Sequence, residues 1–377
     1  MSLCLVALSA CQKADSKRSD TVLVSPYNYA ANHFYGPMEP SVYADAFIPE
    51  KTDSCPSPPL EPLKDLQFNS VYRRDDPTRS KVDVKEKEEY VRQTRNLRLF
   101  QNQMIIMANR SFLHGKSADI HANCVLDWLY EWANNDAFLG VANGQGRFIR
   151  QWSSSTFAIS YLQIRPAIDP KNDKHIRNKT QVIEAWLLKI AARIKERYPD
   201  NIVDVVSSSY LNNHLYWGAW AVMAVALATD TPENFTWAVE RAKYALQVQV
   251  QENGTLDLEM KRGKKALQYH IFSLGPLVML AEVATLNGED LYKLNNRAIS
   301  RLVGNVLQAL HEPDDNIFTQ STSLTQDDAL QYSDEHFAWM EVYNKRYPEP
   351  AIDDFLKTKR PIFNRRFGGN MSVLFNP

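Results

Sequence analysis

The chain has 377 residues and a formal net charge of −1 at pH 7, enough length for one large domain or two ordinary ones, each with a sizeable core. The balanced charge excludes bulk nucleic-acid binding, which needs a strongly basic face, while leaving room for a local basic groove. Only 13 Gly, set against abundant Ala, Leu, Lys, Glu and Gln, favours helices over a hairpin-rich sheet protein. The 8 Trp and 17 Tyr suit either an aromatic core or the lining of a carbohydrate cleft.

At the N-terminus, Leu3 to Ala10 is an apolar run closing in small residues, as a secretory h-region does, and is far too short to span a bilayer. Leu8-Ser9-Ala10-Cys11 has the form of a bacterial lipobox, so export to the periplasm and lipidation of Cys11 are expected, with a plain apolar terminus as the alternative. Gln12 after Cys11 favours sorting to the outer membrane. Of the four cysteines, Cys4 and Cys11 fall in this targeting segment, leaving Cys55 and Cys124 as a pair for an oxidising compartment; two buried free thiols are the alternative. Closing a loop of roughly 70 residues is worth about 4 kcal/mol in the chain-entropy picture. The cysteine spacing has neither the CxxC nor the His companions of a zinc site, and no metal or cofactor is expected.

Residues 1–25 read as a signal and lipobox segment with a linker, and 26–66, rich in Pro, as an irregular wrapping segment. Residues 67–377 read as a single helical domain. Its first stretch, 67–82, is polar, with Tyr72, Arg73 and Arg74, and looks like a mobile loop of the kind that covers active sites. Helical periodicity then runs over Val84–Phe112, Ser117–Asn135, Gly146–Ile164, Thr180–Tyr198, Asn213–Thr229, Glu233–Val248, Leu258–Asn287, Asp290–Leu310 and Asp327–Tyr347. No strand alternation, GxGxxG or P-loop interrupts it. So many helices on short turns fit a ring of antiparallel hairpins better than a four-helix bundle.

Two strings concentrate polar chemistry. Asn213, His214, Tyr216 and Trp217 open a nearly all-apolar helix. Asn212 or Asn213 is also a natural N-cap there. A helix start presents free N–H groups to an anion and biases an imidazole toward its neutral form. Arg262 and Tyr269 stand seven residues apart, about two turns, and share a face if the helix is continuous. Arg262 would then supply the positive charge that makes a phenol a usable base; a solvated basic run and a plain core tyrosine are the alternatives. Arg150 and Gln151, at another helix start, could offer a cation and an amide to a sugar, and Trp152 beside them reads as core. Asn364-Arg-Arg-Phe-Gly-Gly369 adds further cations more weakly.

The strings NNHLYWGAW and MKRGKKALQYH, with Pro276-Leu-Val-Met-Leu-Ala behind them, resemble the alginate lyases of polysaccharide lyase family 5, bacterial periplasmic enzymes acting on mannuronate-rich alginate. The resemblance runs from the Cys55 region to the Arg-Phe-Gly-Gly end. It implies an all-α, incomplete α/α toroid with a deep cleft and a Cys55–Cys124 disulfide. It also implies a catalytic set of Asn213, His214, Arg262 and Tyr269, with Trp217 and the lid residue Tyr72 on substrate. Val71 stands where the family commonly has Lys, with Arg73 and Arg74 close by, and Phe272 where it often has a second Tyr. The implied reaction is β-elimination in alginate, giving unsaturated uronate ends. A role beside the alginate-secretion machinery goes with it. A non-catalytic polyuronate-binding scaffold and a lyase for another polyuronate, such as polyglucuronate, are the competing readings.

Overall fold

A computed structural model describes residues 22–27, 55–58, 60–112, 118–198 and 211–375. Cys11 with its lipobox, and most of segments 1–25 and 26–66, lie outside the described residues.

Helix α1 (Val84–Phe112) turns Leu97, Phe100, Met104, Ile105 and Ala108 inward at spacings of three and four, after a charged, exposed first half. Helices α2 (Ala118–Asn134), α3 (Gly144–Ile164), α4 (Lys174–Lys195), α5 (Asn213–Thr229), α6 (Pro232–Tyr244), α7 (Ala266–Leu286), α8 (Leu294–His311), α9 (Trp339–Arg346) and α10 (Pro350–Lys357) follow. Helices α1, α3, α5, α7 and α9 pack one on the next as an inner layer. The outer helices α2, α4 and α6 each lie against the two inner helices that they join. That alternation is an α/α toroid, as expected from the helix pattern. Inner helices α5 and α7 are apolar all round because both flanks and the outer face are packed. The stretch Gly263–Leu286 is apolar and long enough to cross a membrane, yet 78% of its most apolar window is buried in this core.

The C-terminus bridges the two ends of the inner layer. Strands β1 (Phe363–Asn364) and β2 (Gly369–Asn370) form a short antiparallel hairpin. Asn109 of α1 grips it: Nδ2 donates to Gly368 O at 2.7 Å, and Oδ1 accepts from Asn370 N at 2.9 Å. On the other side, Ser372 Oγ donates to Glu341 of α9 at 2.7 Å. Among the described residues, a hairpin and not a further helix pair joins the two ends of the toroid. Cys55 is bonded to Cys124 of α2, with Cα atoms 5.3 Å apart.

Four expected helices come out differently. Asp290–Leu310 opens as a 3₁₀ turn at Leu291–Lys293 and left-handed backbone at Asn295, Asn296 and Arg297, so regular helix starts only beyond Arg297. The expected Leu258–Asn287 helix is broken: Asp257–Met260 makes one turn, Gly263 adopts φ of 58°, and α7 starts only at Ala266. A left-handed residue cannot continue an α-helix, and glycine takes that conformation at no steric cost. Asp327–Tyr347 is α-helical only from Trp339, with 3₁₀ turns at Ala329–Gln331 and Asp334–Phe337 before α9. Asp328 there bonds Leu330 N, a local alternative to helical bonding. Helix α4 begins six residues earlier than Thr180, capped by Asp173 on His175 N and Ile176 N.

Candidate active site

A cleft of about 650 Å³ opens at one end of the inner helices. Its walls come from the starts of α3, α5 and α7, the turn before α7, and the 67–82 loop. Each start has a local cause. Asn143 caps α3 by accepting from Gly146 N at 2.7 Å, and its amide also donates to Phe68 O at 2.8 Å, which stitches the base of the loop to that helix. Asn212 caps α5 by accepting from His214 N at 3.1 Å, so Asn213 is free of capping duty.

The four expected catalytic residues meet in this cleft. The Arg262 guanidinium lies 3.6 Å from the centre of the Tyr269 ring and 5.4 Å from that of Tyr72. They meet although they do not share a helix. Arg262 sits in the turn, with its N–H bonded to Glu259 O at 3.0 Å, and that turn swings it over Tyr269. Tyr269 donates to the Tyr72 hydroxyl at 2.8 Å. Burial, then Tyr72, push the Tyr269 phenol well above its ordinary value, and Arg262 pulls against them. Arg262 acts in the expected direction but does not prevail, because desolvation of the phenolate is the larger effect.

His214 stacks face to face on Phe148, ring centres 3.5 Å apart. Arg197 holds its guanidinium carbon 4.5 Å from the same phenyl centre. Burial and the charges of Arg197 and Arg262 hold the imidazole well below its ordinary value, so it is neutral at pH 7. Of these four side chains, Arg262 is thus the cation, and Asn213 and His214 are hydrogen-bonding groups. Arg262 Nε and His214 Nδ1 are buried with no partner among the described residues.

The loop carrying Tyr72 is folded down onto the site. It is braced internally: Tyr72 and Val82 form an antiparallel bridge, and the buried Asp76 carboxylate accepts from Thr78, Ser80 and Lys81 backbone N–H groups. Besides the Tyr72 contact, Arg79 O accepts from Arg262 Nη2 at 2.5 Å.

Other expected substrate contacts do not join the cleft. Arg150 is buried and donates to Phe138 O at 2.8 Å and Gly140 O at 2.9 Å, clamping the loop ahead of α3. Gln151 bonds the Tyr198 hydroxyl, which in turn donates to His214 O at 2.8 Å. Both face a separate cavity on the next face of α3, because residues 150 and 151 are turned away from Phe148 and Trp152. Trp217 is 2% exposed, stacked on Phe367 at 5.2 Å and packed on Phe272 at 4.9 Å, a wall behind the cleft. Arg73 is exposed and paired with Asp75, and with Arg74 it lines a neighbouring basin across the loop. Trp152, read as core, does line the cleft.

Sequence reasoning missed Phe148, His336 and Glu259. Phe148 and His336 line the cleft, and Glu259 lies beneath it, 0% exposed. Phe148 falls in the apolar pattern of a helix, where a core aromatic would also stand. Glu259, three residues before Arg262, reads as half of a surface ion pair, and no local signal distinguishes it.

A helical toroid whose cleft sets a phenol beneath a guanidinium, with a neutral imidazole and an amide alongside, is built for proton abstraction next to a carboxylate, and this defines the class: a polysaccharide lyase. Residues 67–315 match the family profile described as alginate lyase. An alginate lyase of Cobetia marina is 31% identical over 330 residues, 87% of this chain and 85% of that protein. One of Azotobacter vinelandii is 32% identical over 326 residues, 86% and 84% respectively. The chain belongs to the alginate lyase family. Among solved structures, alginate lyase A1-III of Sphingomonas species A1 has the same fold, with a TM-score of 0.75 at 22% identity over 94% of this chain and 97% of that one. A histidine-to-alanine variant of A1-III complexed with a tetrasaccharide also gives 0.75, at 23% identity over 95% and 98%.

Proposed function

We propose that this enzyme depolymerises alginate by β-elimination at mannuronate residues. The observation that carries the reading is the contact of Arg262 with Tyr269 in the cleft that also holds Asn213 and His214. Removing the C5 proton of a uronate builds negative charge on its carboxylate. Arg262 neutralises that charge, and Asn213 and His214 hydrogen-bond the enolate-like intermediate. Tyr269 takes the C5 proton. In mannuronate the proton and the leaving O4 lie on one face of the ring, so the same phenol returns a proton to O4. Tyr269 reacts as the phenolate, the minor form at pH 7; Arg262 lowers the cost of that form without outweighing burial, and the phenol formed on taking the C5 proton then has a proton to return to the more basic O4 alkoxide. A uronate that reaches Tyr269 has to displace the hydroxyl of Tyr72. Each cleavage leaves an unsaturated uronate at the new non-reducing end.

Ultraviolet absorbance of unsaturated products, measured on polymannuronate, polyguluronate and polyglucuronate, tests the substrate. Polymannuronate is expected to react fastest, and absence of product on all three rejects the reading. Tyr269→Phe is expected to lower kcat by at least about 10²-fold with little change in KM. Full activity in that variant rejects Tyr269 as the base. The reading extends to location: export and lipidation at Cys11, whose motif supports an outer-membrane anchor on the periplasmic side. Cys11→Ser is then expected to release the protein from the membrane fraction, and unchanged fractionation counts against the anchor.

A further inference from the structure

Glu259 is 0% exposed, and its side-chain bonds go to one residue of the cleft. Its Oε1 accepts from Asn213 N at 2.7 Å and from Asn213 Nδ2 at 2.9 Å. Its main-chain oxygen accepts from Arg262 N at 3.0 Å. One residue thus touches two of the three groups assigned to the uronate carboxylate, Asn213 through its side chain and Arg262 through its backbone. Oε1 already accepts from the Asn213 main-chain N–H, so Asn213 turns its NH₂ toward that same oxygen, and the amide cannot flip without placing two acceptors together. The second Nδ2 hydrogen and Oδ1 are what Asn213 keeps for a ligand, and Oδ1 is buried with no partner among the described residues. Burial pushes the Glu259 carboxyl up, while the two Asn213 bonds and Arg262 pull it back.

We infer that Glu259 is a positioning residue for the elimination: it locks the rotamer and amide sense of Asn213 and anchors the turn that aims Arg262, so that both meet one substrate carboxylate. The inference rests on the role proposed above for Asn213 and concerns where that amide points, not the charge of the site.

Two near-isosteric variants separate position from charge. Glu259→Gln keeps an oxygen at the same reach, able to accept both Asn213 N–H groups. Glu259→Asp keeps the charge and withdraws the acceptor by one methylene. The expected result is that Glu259→Asp lowers kcat roughly tenfold with KM little changed, while Glu259→Gln stays within about threefold of the parent. In an Asn213→Ala background, Glu259→Asp should lower kcat by less than about twofold further, because coupled residues are non-additive. The opposite order, with Gln damaging and Asp sparing, overturns the inference, as does an equal loss in both backgrounds. A lower melting temperature with kcat unchanged per folded molecule also overturns it, in favour of a merely structural role. If Asn213→Ala alone leaves kcat intact, the assignment of Asn213 fails first, and that failure is visible before Glu259 is touched.

Discussion

Tyr269 carries opposed influences on one proton. Burial and the Tyr72 hydroxyl favour the neutral phenol, and the guanidinium stacked 3.6 Å from its ring favours the phenolate. The sign of the pH dependence follows. A base whose pKa lies above its ordinary value is mostly protonated at pH 7, so kcat/KM should climb as pH rises through the alkaline range. Removing the one group that lowers that pKa moves the climb to higher pH. Arg262→Ala is therefore expected to shift the ascending limb of the kcat/KM profile upward in pH, besides losing about 10²–10³-fold at its maximum through the missing carboxylate partner. A limb that stays put or moves down would show that Arg262 does not act on Tyr269. His214, neutral at pH 7, contributes no charge to this balance and should leave the position of that limb to the phenol and the guanidinium.

At the level of elements, most helices were legible and their ends were not. The apolar spacing of Val84–Phe112 and Asn213–Thr229 matches the helices found there, because an amphipathic or fully buried helix writes its period into the chain. The break before α7 was read through, since Lys, Arg and Lys are all good helix formers and only the single Gly263 interrupts them. The break matters, because a continuous helix would have set Arg262 beside Tyr269 by register, whereas the turn folds the guanidinium onto the ring. The loop at 67–82 was legible as a lid but not as the hairpin that Asp76 ties together. Its root is pinned where α3 begins: a Cβ at Gly146 would lie 1.9 Å from Leu66 O, so that crossing of loop and helix admits only glycine.

Across the whole molecule, closure of the inner helix layer depends on distant pieces of chain. Asn109 and Glu341 hold the C-terminal hairpin from opposite ends, and Tyr27 donates to Phe367 O at 2.6 Å from the N-terminal side. The Cys55–Cys124 bond ties the segment preceding the lid to α2, with no cysteine in the cleft lining. Replacing both by serine should cost about 4 kcal/mol through the freed 69-residue loop and lower the melting temperature by several degrees, while the folded fraction keeps its kcat. Equal melting temperatures for parent and variant under oxidising conditions would refute that. The sequence by itself pointed to the all-α toroid, the disulfide partners, the family resemblance, and the candidates Asn213, His214, Arg262 and Tyr269 that meet in one cleft, because periodicity and short dense motifs are local signals. Only the tertiary structure decided that Arg150, Gln151 and Trp217 are scaffolding, that burial outweighs Arg262 at the phenol, and that Glu259 stands behind Asn213. Those outcomes turn on which buried polar group finds which partner 46 or 197 positions away, and a pattern of neighbours along the chain carries no record of such meetings.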